Sequence, residues 1–288
     1  MPALRLATRG SPQAAAQSTA IAAAITAETG RDVELVLVET TGDTRADVPL
    51  HTIGGQGVFV KEVQAAVLDG RADLAVHSAK DLPTDPADGL VIAAFTERRD
   101  PRDALIGRPL DSLANGATVA TGSVRRRALL RRVRPDLEFV ELRGNIGTRL
   151  DKVPTDGAIV MAVAALQILG LTDRIAEALP VDDFVPAVGQ GCVAVECRSG
   201  DDDTTAALVA IDHEETRRAV EIERAFLAEL GSGCSLPIGA HVEGARLLTF
   251  LADPDSGVSV ADEIVLEGDD GDLDRARSAA HSAREAVG

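Results

Sequence analysis

The chain has 288 residues and a formal net charge of -17, because 46 aspartates and glutamates outnumber 29 lysines and arginines. An acidic protein repels nucleic acids and anionic membranes, and an aromatic content of 2% leaves few rings for stacking single-stranded bases. We therefore expect neither partner, and the lack of a leader-like N-terminus or a long apolar run predicts a cytoplasmic location. The acidic, lysine-poor composition adds the hypothesis of a halophilic protein, since high salt screens self-repulsion.

The first part of the chain alternates short β-branched strand patterns with helical patterns. Such alternation predicts parallel strands joined by helices that cover both faces of a sheet. The predicted elements are strand 4–8, helix 12–28, strand 33–40, helix 58–68, strand 73–77 and strand 90–95.

A charged, proline-containing break at residues 97–103 predicts a hinge into a second unit that alternates in the same way. The alternation stops at residues 184–191. The strand pattern at 193–197 has no obvious partner in the second unit, so we expect the chain to cross back to the first. The elements predicted for the second unit are strand 117–121, helix 123–133, strand 137–142, helix 146–151, strand 157–161 and helix 163–169.

The last part of the chain predicts a smaller α+β domain with an antiparallel three-stranded sheet. Its elements are helix 213–230, a Gly-rich loop at 231–239, strands 237–242, 246–252 and 258–266, and helix 271–286. We therefore expect three domains. They are a first α/β lobe of residues 1–97 plus 188–211, a second α/β lobe of residues 98–187, and a C-terminal domain of residues 212–288.

Positive charge is concentrated where strands turn into helices. The densest block, Arg125 to Arg127, follows Thr121 and Ser123 at a predicted helix start. The helix dipole disfavours cations at this end, whereas free N–H groups and guanidiniums together suit a carboxylate or phosphate. An ordinary solvated helix face is the alternative, but adjacent arginines at a helix start favour an anion site.

Further arginines stand at other strand ends. Arg143 and Arg149 follow the next strand, and Arg9 follows the first strand together with the hydroxyl of Ser11. Because ligands of α/β sheets bind at the carboxyl ends of strands, these residues are candidates for the same kind of anion.

Two residues are candidates for chemistry. Asp81 follows a strand end beside Lys80, which suits general acid–base work or the holding of a cation, although a turn-forming role is the alternative. Cys234 stands in a Gly-rich loop, which suits covalent attachment or nucleophilic catalysis, although the usual role of a buried small hydrophobe is the alternative. The cysteines show no metal-ligand spacing, so no metal is expected, and His77 is interpreted as a packed strand-end residue.

A series of motifs runs through almost the whole chain. They are Ala7-Thr-Arg9-Gly-Ser11-Pro, Gly57-Val-Phe59-Val-Lys61-Glu62, Asp73-Leu-Ala-Val-His-Ser78-Ala-Lys80-Asp81-Leu-Pro, Asp100-Pro-Arg-Asp103, Ser123-Val-Arg125-Arg126, Leu142-Arg143-Gly-Asn-Ile-Gly-Thr-Arg149-Leu, Gly189-Gln-Gly191, Glu223-Arg224 and Gly233-Cys234-Ser-Leu-Pro-Ile-Gly. In this order the motifs resemble those of the porphobilinogen deaminase family.

The resemblance implies two periplasmic-binding-protein-like, doubly wound α/β lobes around a cleft and a smaller third domain. It implies a transferase that joins four porphobilinogen molecules head to tail into linear hydroxymethylbilane, with release of ammonia, in tetrapyrrole (haem) biosynthesis. It also implies a dipyrromethane primer bound to Cys234 through a thioether, a monomeric enzyme, and a product that passes to a downstream tetrapyrrole enzyme.

The same resemblance implies roles for individual residues. Asp81 is similar to the family's catalytic aspartate, which binds pyrrole N–H groups and stabilises positive charge. The pyrroles carry acetate and propionate groups, which suit guanidinium partners. The expected cofactor contacts besides Cys234 are Lys80, Ser78, Thr121, Ser123, Arg125 and Arg126. The expected substrate contacts are Arg9, Ser11, Phe59, Arg98, Arg143, Arg149, Arg174 and Gln190.

Two other functions are weighed against the transferase. A two-lobed module that binds an anionic polycarboxylate is the alternative interpretation, although it gives Cys234 no use. A nucleotide-binding protein is disfavoured because neither a P-loop nor a Gly-x-Gly-x-x-Gly fingerprint occurs. The chain departs from the family pattern at Gln56, where many relatives have lysine, and at Arg99, where an acid is common.

Overall fold

The computed structural model describes residues 2–40, 60–231 and 236–288, which form two compact units. The first unit consists of Met1–Arg98 and Cys192–Arg218, and the second of Arg99–Gly191 and Ala219–Gly288. The strands are β1 (Leu4–Arg9), β2 (Val33–Val38), β3 (Leu74–Ser78), β4 (Leu90–Phe95), β5 (Asp103–Gly107), β6 (Thr118–Ala120), β7 (Glu138–Val140), β8 (Ala158–Ala162), β9 (Glu177–Ala178), β10 (Val193–Arg198), β11 (Ile238–Glu243), β12 (Arg246–Ala252) and β13 (Ser259–Val265). The helices are α1 (Pro12–Thr29), α2 (Lys61–Leu68), α3 (Val124–Val133), α4 (Ile146–Leu150), α5 (Val163–Gln167), α6 (Asp202–Val209), α7 (Glu214–Leu230) and α8 (Asp272–Val287).

The first unit is built on a five-stranded sheet of order β2-β1-β3-β10-β4. Successive residues of each strand face opposite sides of the sheet. Leu6 and Leu74 therefore pack in one core cluster with Ile25 of α1, whereas Ala7 and Ala75 pack in another with Val63 of α2. The predicted coverage of both faces by helices is confirmed.

Strand β10 confirms the predicted return of the chain, because it lies between β3 and β4 of the first sheet. The predicted parallel pairs are present, and each five-stranded sheet also includes one strand that runs antiparallel to both of its neighbours. β10 runs antiparallel to both neighbours, and in the second unit β5 runs antiparallel to β8 and β9. Both strands directly follow a connection between the units, so the helix crossover that enforces parallel order is missing before them.

The second unit contains a five-stranded sheet of order β7-β6-β8-β5-β9, in which β6 runs parallel to β7 and β8. The unit also contains the antiparallel sheet β11-β12-β13, as predicted. Alternate residues of β12 serve two cores. Leu248 and Phe250 pack in the cluster of the five-stranded sheet, whereas Leu247 and Leu251 pack in the cluster of α7 and α8.

Because the C-terminal sheet shares a core with the second α/β segment, the two segments fall within one compact unit. The division into three domains stays a prediction. Helix α6 and strands β5 and β9 are additions to the predicted elements. None of the helices in the described part of the chain has the length and apolar character that a membrane span requires.

Candidate functional site

The carboxyl edge of the first sheet collects several predicted site residues. Since β1 and β3 run parallel, their ends, Arg9 and Ser78, lie at the same edge. The Ser78 hydroxyl lies 3.3 Å from the side-chain nitrogen Nε2 of Gln17 on α1. A single 3₁₀ turn, Ala79–Asp81, follows and leaves Lys80 and Asp81 exposed. This edge therefore brings together cations, a hydroxyl and one accessible carboxylate.

A buried polar cluster lies near the end of β3, just before that turn in the chain. His77 is 5% exposed, and its Nε2 lies 3.0 Å from Oε2 of Glu196 on β10, without the alignment of a hydrogen bond. Gln64 of α2 donates from Nε2 to the same oxygen at 2.8 Å. His77 is a packed strand-end residue, as predicted, and the cluster ties the strand before Asp81 to β10 and α2.

Two other predicted residues of the first unit have local roles. The hydroxyl of Ser11 accepts a hydrogen bond from the Ala14 amide at 3.3 Å and caps α1. The backbone amide of Arg98 donates to the Thr216 hydroxyl at 3.2 Å. A ligand contact by either side chain stays a prediction.

The carboxyl edge of the second sheet carries the arginine block. The parallel strands β6, β7 and β8 all end here, and the antiparallel β5 begins here, since Asp103 pairs with Ala162. Helix α3 starts directly after Ser123, whose hydroxyl accepts from the Arg126 amide at 3.4 Å. The buried Thr121 hydroxyl accepts from the Ser123 amide at 3.2 Å. Both predicted ligand hydroxyls thus shape the turn itself.

Asp103 is the partner of both leading arginines. Its Oδ2 lies 2.8 Å from Nη2 of Arg125, and its Oδ1 accepts from Nε and Nη2 of Arg126 at 3.0 and 2.7 Å. Burial by itself raises the pKa of Asp103, but the charges of the two guanidiniums and hydrogen bonds from Arg126 and Gln190 hold that pKa far below its usual range. With two guanidiniums and one carboxylate, the group keeps one net positive charge.

Backbone carbonyls fix the same arginines from other sides. Arg125 donates from Nη1 to the Val185 carbonyl at 2.7 Å, and Arg126 donates from Nη1 to the Val160 carbonyl at 3.1 Å. Burial lowers the pKa of Arg125, with the charge of Asp103 acting in the opposite direction. The side chain of Arg125 is 5% exposed and that of Arg126 is 10% exposed. Arg126 is therefore the more accessible of the two.

Three further predicted arginines of this unit, Arg143, Arg149 and Arg174, do not contact Asp103. Arg143 donates from Nε to Glu141 at 3.0 Å, and Arg149 donates from Nε to the Gly144 carbonyl at 2.7 Å. Arg174 is exposed in the 3₁₀ turn Thr172–Arg174. Their predicted contacts with substrate stay predictions, as does the role of Gln190, whose buried amide faces Asp103.

Sequence reasoning missed Asp103 as a site residue. The sequence did indicate an unusual acid here. Asp103 is the last residue of the motif Asp100-Pro-Arg-Asp103 and the first residue of the apolar run Asp103-Ala-Leu-Ile. Phe59, Cys234 and Gln56 lie outside the residues that the structure describes. Among the described residues, no group of three or more potential metal ligands occurs.

Each of the two edges by itself offers donors that suit carboxylates. The edge in the first unit has Arg9, Lys80 and the Ser78 hydroxyl, and the edge in the second unit has a fixed arginine pair that keeps a net positive charge. Guanidinium, ammonium and hydroxyl groups are the usual partners of carboxylates. A dipyrromethane with acetate and propionate groups is chemically suited to these donors.

Comparisons with known proteins agree with this chemistry. The family model described as "Porphobilinogen deaminase, dipyromethane cofactor binding domain" matches residues 4–206, and "Porphobilinogen deaminase, C-terminal domain" matches residues 217–286. The porphobilinogen deaminase of Syntrophus aciditrophicus is 45% identical over 83% of this chain and 80% of its own length. That of Thermobifida fusca is 50% identical over 83% of this chain and 76% of its own length. Among solved structures, the methionine-binding protein MetQ has a TM-score of 0.47 at 16% identity, covering 75% of this chain and 92% of that chain.

Proposed function

This chain belongs to the porphobilinogen deaminase family, and we propose which of its residues carry out the family's reaction. The reaction joins four porphobilinogen molecules head to tail into linear hydroxymethylbilane, with release of ammonia and with a bound dipyrromethane as primer. This transferase activity takes precedence over the alternative of a simple binding module. The observation that supports the residue assignment is the arginine pair on Asp103, which keeps a positive charge at a strand edge.

We assign the attachment of the cofactor to Cys234, through a thioether. When bound, the dipyrromethane supplies the pyrrole carbon to which the first substrate molecule is joined. Its carboxylates are held by guanidinium, ammonium and hydroxyl donors, which form charge-assisted hydrogen bonds in place of those from water. The assigned contacts are Lys80, Ser78, Thr121, Ser123, Arg125 and Arg126.

Asp81 is the assigned catalytic residue. Its exposed carboxylate accepts hydrogen bonds from pyrrole N–H groups and stabilises the positive charge that develops on porphobilinogen as ammonia leaves. The 3₁₀ turn supports this role, because the Leu82 amide donates to the Ala79 carbonyl at 3.3 Å and fixes the backbone around Asp81.

Substrate binding is assigned to basic and polar side chains, with one aromatic ring. Each porphobilinogen carries an acetate and a propionate, and the planar guanidinium binds a carboxylate through two parallel hydrogen bonds. The assigned residues are Arg9, Ser11, Phe59, Arg98, Arg143, Arg149 and Arg174.

The mass of the intact protein tests this assignment. We expect the purified protein to exceed its sequence mass by one dipyrromethane, and the added mass to lie on the peptide that contains Cys234. Cys234→Ser is expected to remove both the added mass and turnover. Cys192→Ala is the matched control, because this thiol is buried in the core and its removal should leave the added mass unchanged. An active protein without the added mass would contradict the assignment.

Four finer proposals concern the setting of the enzyme. It works in the cytoplasm as a monomer, its product passes to a downstream tetrapyrrole enzyme, and its surface is adapted to high salt. The net charge of -17 supports the last proposal, since salt screens the repulsion between acidic groups. An unfolding midpoint that rises with KCl concentration is expected, and full stability at low salt would contradict the salt adaptation.

A further inference from the structure

Around Asp103, distant parts of the second unit meet in the interior. Asp103 opens β5, the arginine pair opens α3, and Gln190 lies in the segment before β10. Gln190 is 1% exposed, and its Nε2 donates to Oδ1 of Asp103 at 2.9 Å and to the Pro101 carbonyl at 2.7 Å. Because both neighbouring atoms are oxygen acceptors, the end of the Gln190 side chain that faces them must be its NH₂ group.

The segment that carries Gln190 is itself held from the C-terminal part of the unit. Glu223 of α7 is fully buried and accepts from the Gly189 amide at 2.8 Å and from the Val242 amide at 2.9 Å. Gly239 of β11 packs closely against the backbone of Val185, and an added Cβ would lie 2.8 Å from the Val185 carbonyl oxygen. The same oxygen accepts a hydrogen bond from Arg125. Contacts therefore connect α7, the helix before Cys234, with the arginine pair.

We propose that Asp103, held by Gln190, is a positioning residue that fixes the two guanidiniums and leaves one uncompensated positive charge for a carboxylate of the cofactor or the growing chain. The inference rests on the proposed function. It gives Gln190 a role that acts through Asp103, rather than the predicted direct contact with substrate.

The balance of charge explains why this group has one carboxylate and one amide. Without a carboxylate, two buried guanidiniums would repel each other. With a second carboxylate in place of the amide, the group would be neutral and would lose its attraction for an anion. Asp103→Asn adds one positive charge to the group, and Gln190→Glu removes one. The double substitution exchanges the positions of the acid and the amide and restores the original charge.

Three measurements on these variants test the proposal: cofactor occupancy by intact mass, the KM and kcat for porphobilinogen, and the Tm. For Gln190→Glu we expect reduced occupancy and a KM raised by about tenfold, the effect of losing one charge-assisted contact. The increase in KM should be largest at high pH, where the introduced carboxyl is charged. At low pH that carboxyl is protonated and can again donate a hydrogen bond to Asp103, so the increase should be smaller. The double variant should recover most of the loss.

Gln167→Glu is the matched control. It adds the same charge at an exposed site of the same unit and keeps the acceptor for the Asp100 amide, so occupancy and KM should not change. Wild-type occupancy and KM in Gln190→Glu would overturn the proposal, even if Asp103→Asn fails to fold. So would a double variant with wild-type Tm that is no better than Gln190→Glu. Absence of the cofactor mass from the wild-type protein would instead overturn the proposed function.

Discussion

The two α/β units carry aspartates in equivalent places, at the carboxyl edge of a sheet, but in opposite surroundings. Asp81 of the first unit is exposed on a single 3₁₀ turn, whereas Asp103 of the second is 1% exposed between two guanidiniums and an amide. In the proposed roles, Asp81 meets a changing substrate and is accessible. Asp103 sets the charge for the carboxylates that every ligand carries, and it lies in the core.

The largest expected difference between the two sites is in stability. Asp103→Ala leaves two buried guanidiniums without their carboxylate and should lower the free energy of unfolding by about 3–5 kcal/mol. Asp81→Ala removes an exposed side chain and should change it by less than about 0.5 kcal/mol. Urea unfolding of both variants measures this contrast, and equal losses would contradict it.

Activity should show the opposite contrast. Asp81→Asn should lower kcat by about 10²–10³-fold, as removal of one electrostatic stabiliser does, while Tm and cofactor mass stay at wild-type values. Asp85→Asn is the control, since this carboxylate is exposed four residues further along the chain. Steady-state kinetics decide the matter, and an Asp81→Asn enzyme with wild-type kcat would remove the catalytic assignment.

The serine before α3 offers a smaller test of how the second site works. Ser123→Ala removes the helix cap and should cost about 1 kcal/mol of unfolding free energy. Ser123→Asp keeps a capping acceptor, so stability should be retained, but its charge beside Arg126 should raise the KM. Ser11→Ala, at the cap of α1, gives the matched stability loss in the first unit. An unchanged KM for Ser123→Asp would mean that Ser123 only caps the helix.

The smallest expected effect is on the unfolding free energy at acidic pH. Burial acts to raise the pKa of Asp73 in the first unit, but hydrogen bonds from Arg5 and Arg198 outweigh it and lower that pKa. A lowered carboxyl pKa contributes stability above the unfolded value of about 4, and this contribution is lost as pH falls through the folded value. Asp73→Asn should therefore flatten the fall in unfolding free energy as the pH drops below about 4. A slope equal to that of wild type would exclude this contribution.

Much of the fold could be predicted, because local patterns carry it. Strand and helix alternation placed the arginine block at the start of α3 and Asp81 just after β3, where the structure has them. Strand β5 was not predicted because its first residue, Asp103, is charged and follows Pro101 and Arg102. Only ion pairs with residues more than 20 positions away make the burial of Asp103 tolerable.

The roles of side chains at the second edge depend even more on distant residues. Nothing near Gln190 in the sequence indicates that its amide faces Asp103, 87 residues earlier. Helix α6 is a different case, since Asp201 accepts from the Thr204 amide as an ordinary helix cap that local sequence could have indicated.

The position of β10 has a consequence for how the protein is made. During translation, β4 leaves the ribosome long before β10, its only strand partner among the described residues, because Arg99–Gly191 must be synthesised in between. At a synthesis rate of roughly 5–20 residues per second, several seconds pass before β10 is available to pair with β3 and β4. Throughout that time the apolar strands of the first sheet are a target for chaperones, so the order of synthesis itself delays completion of the fold.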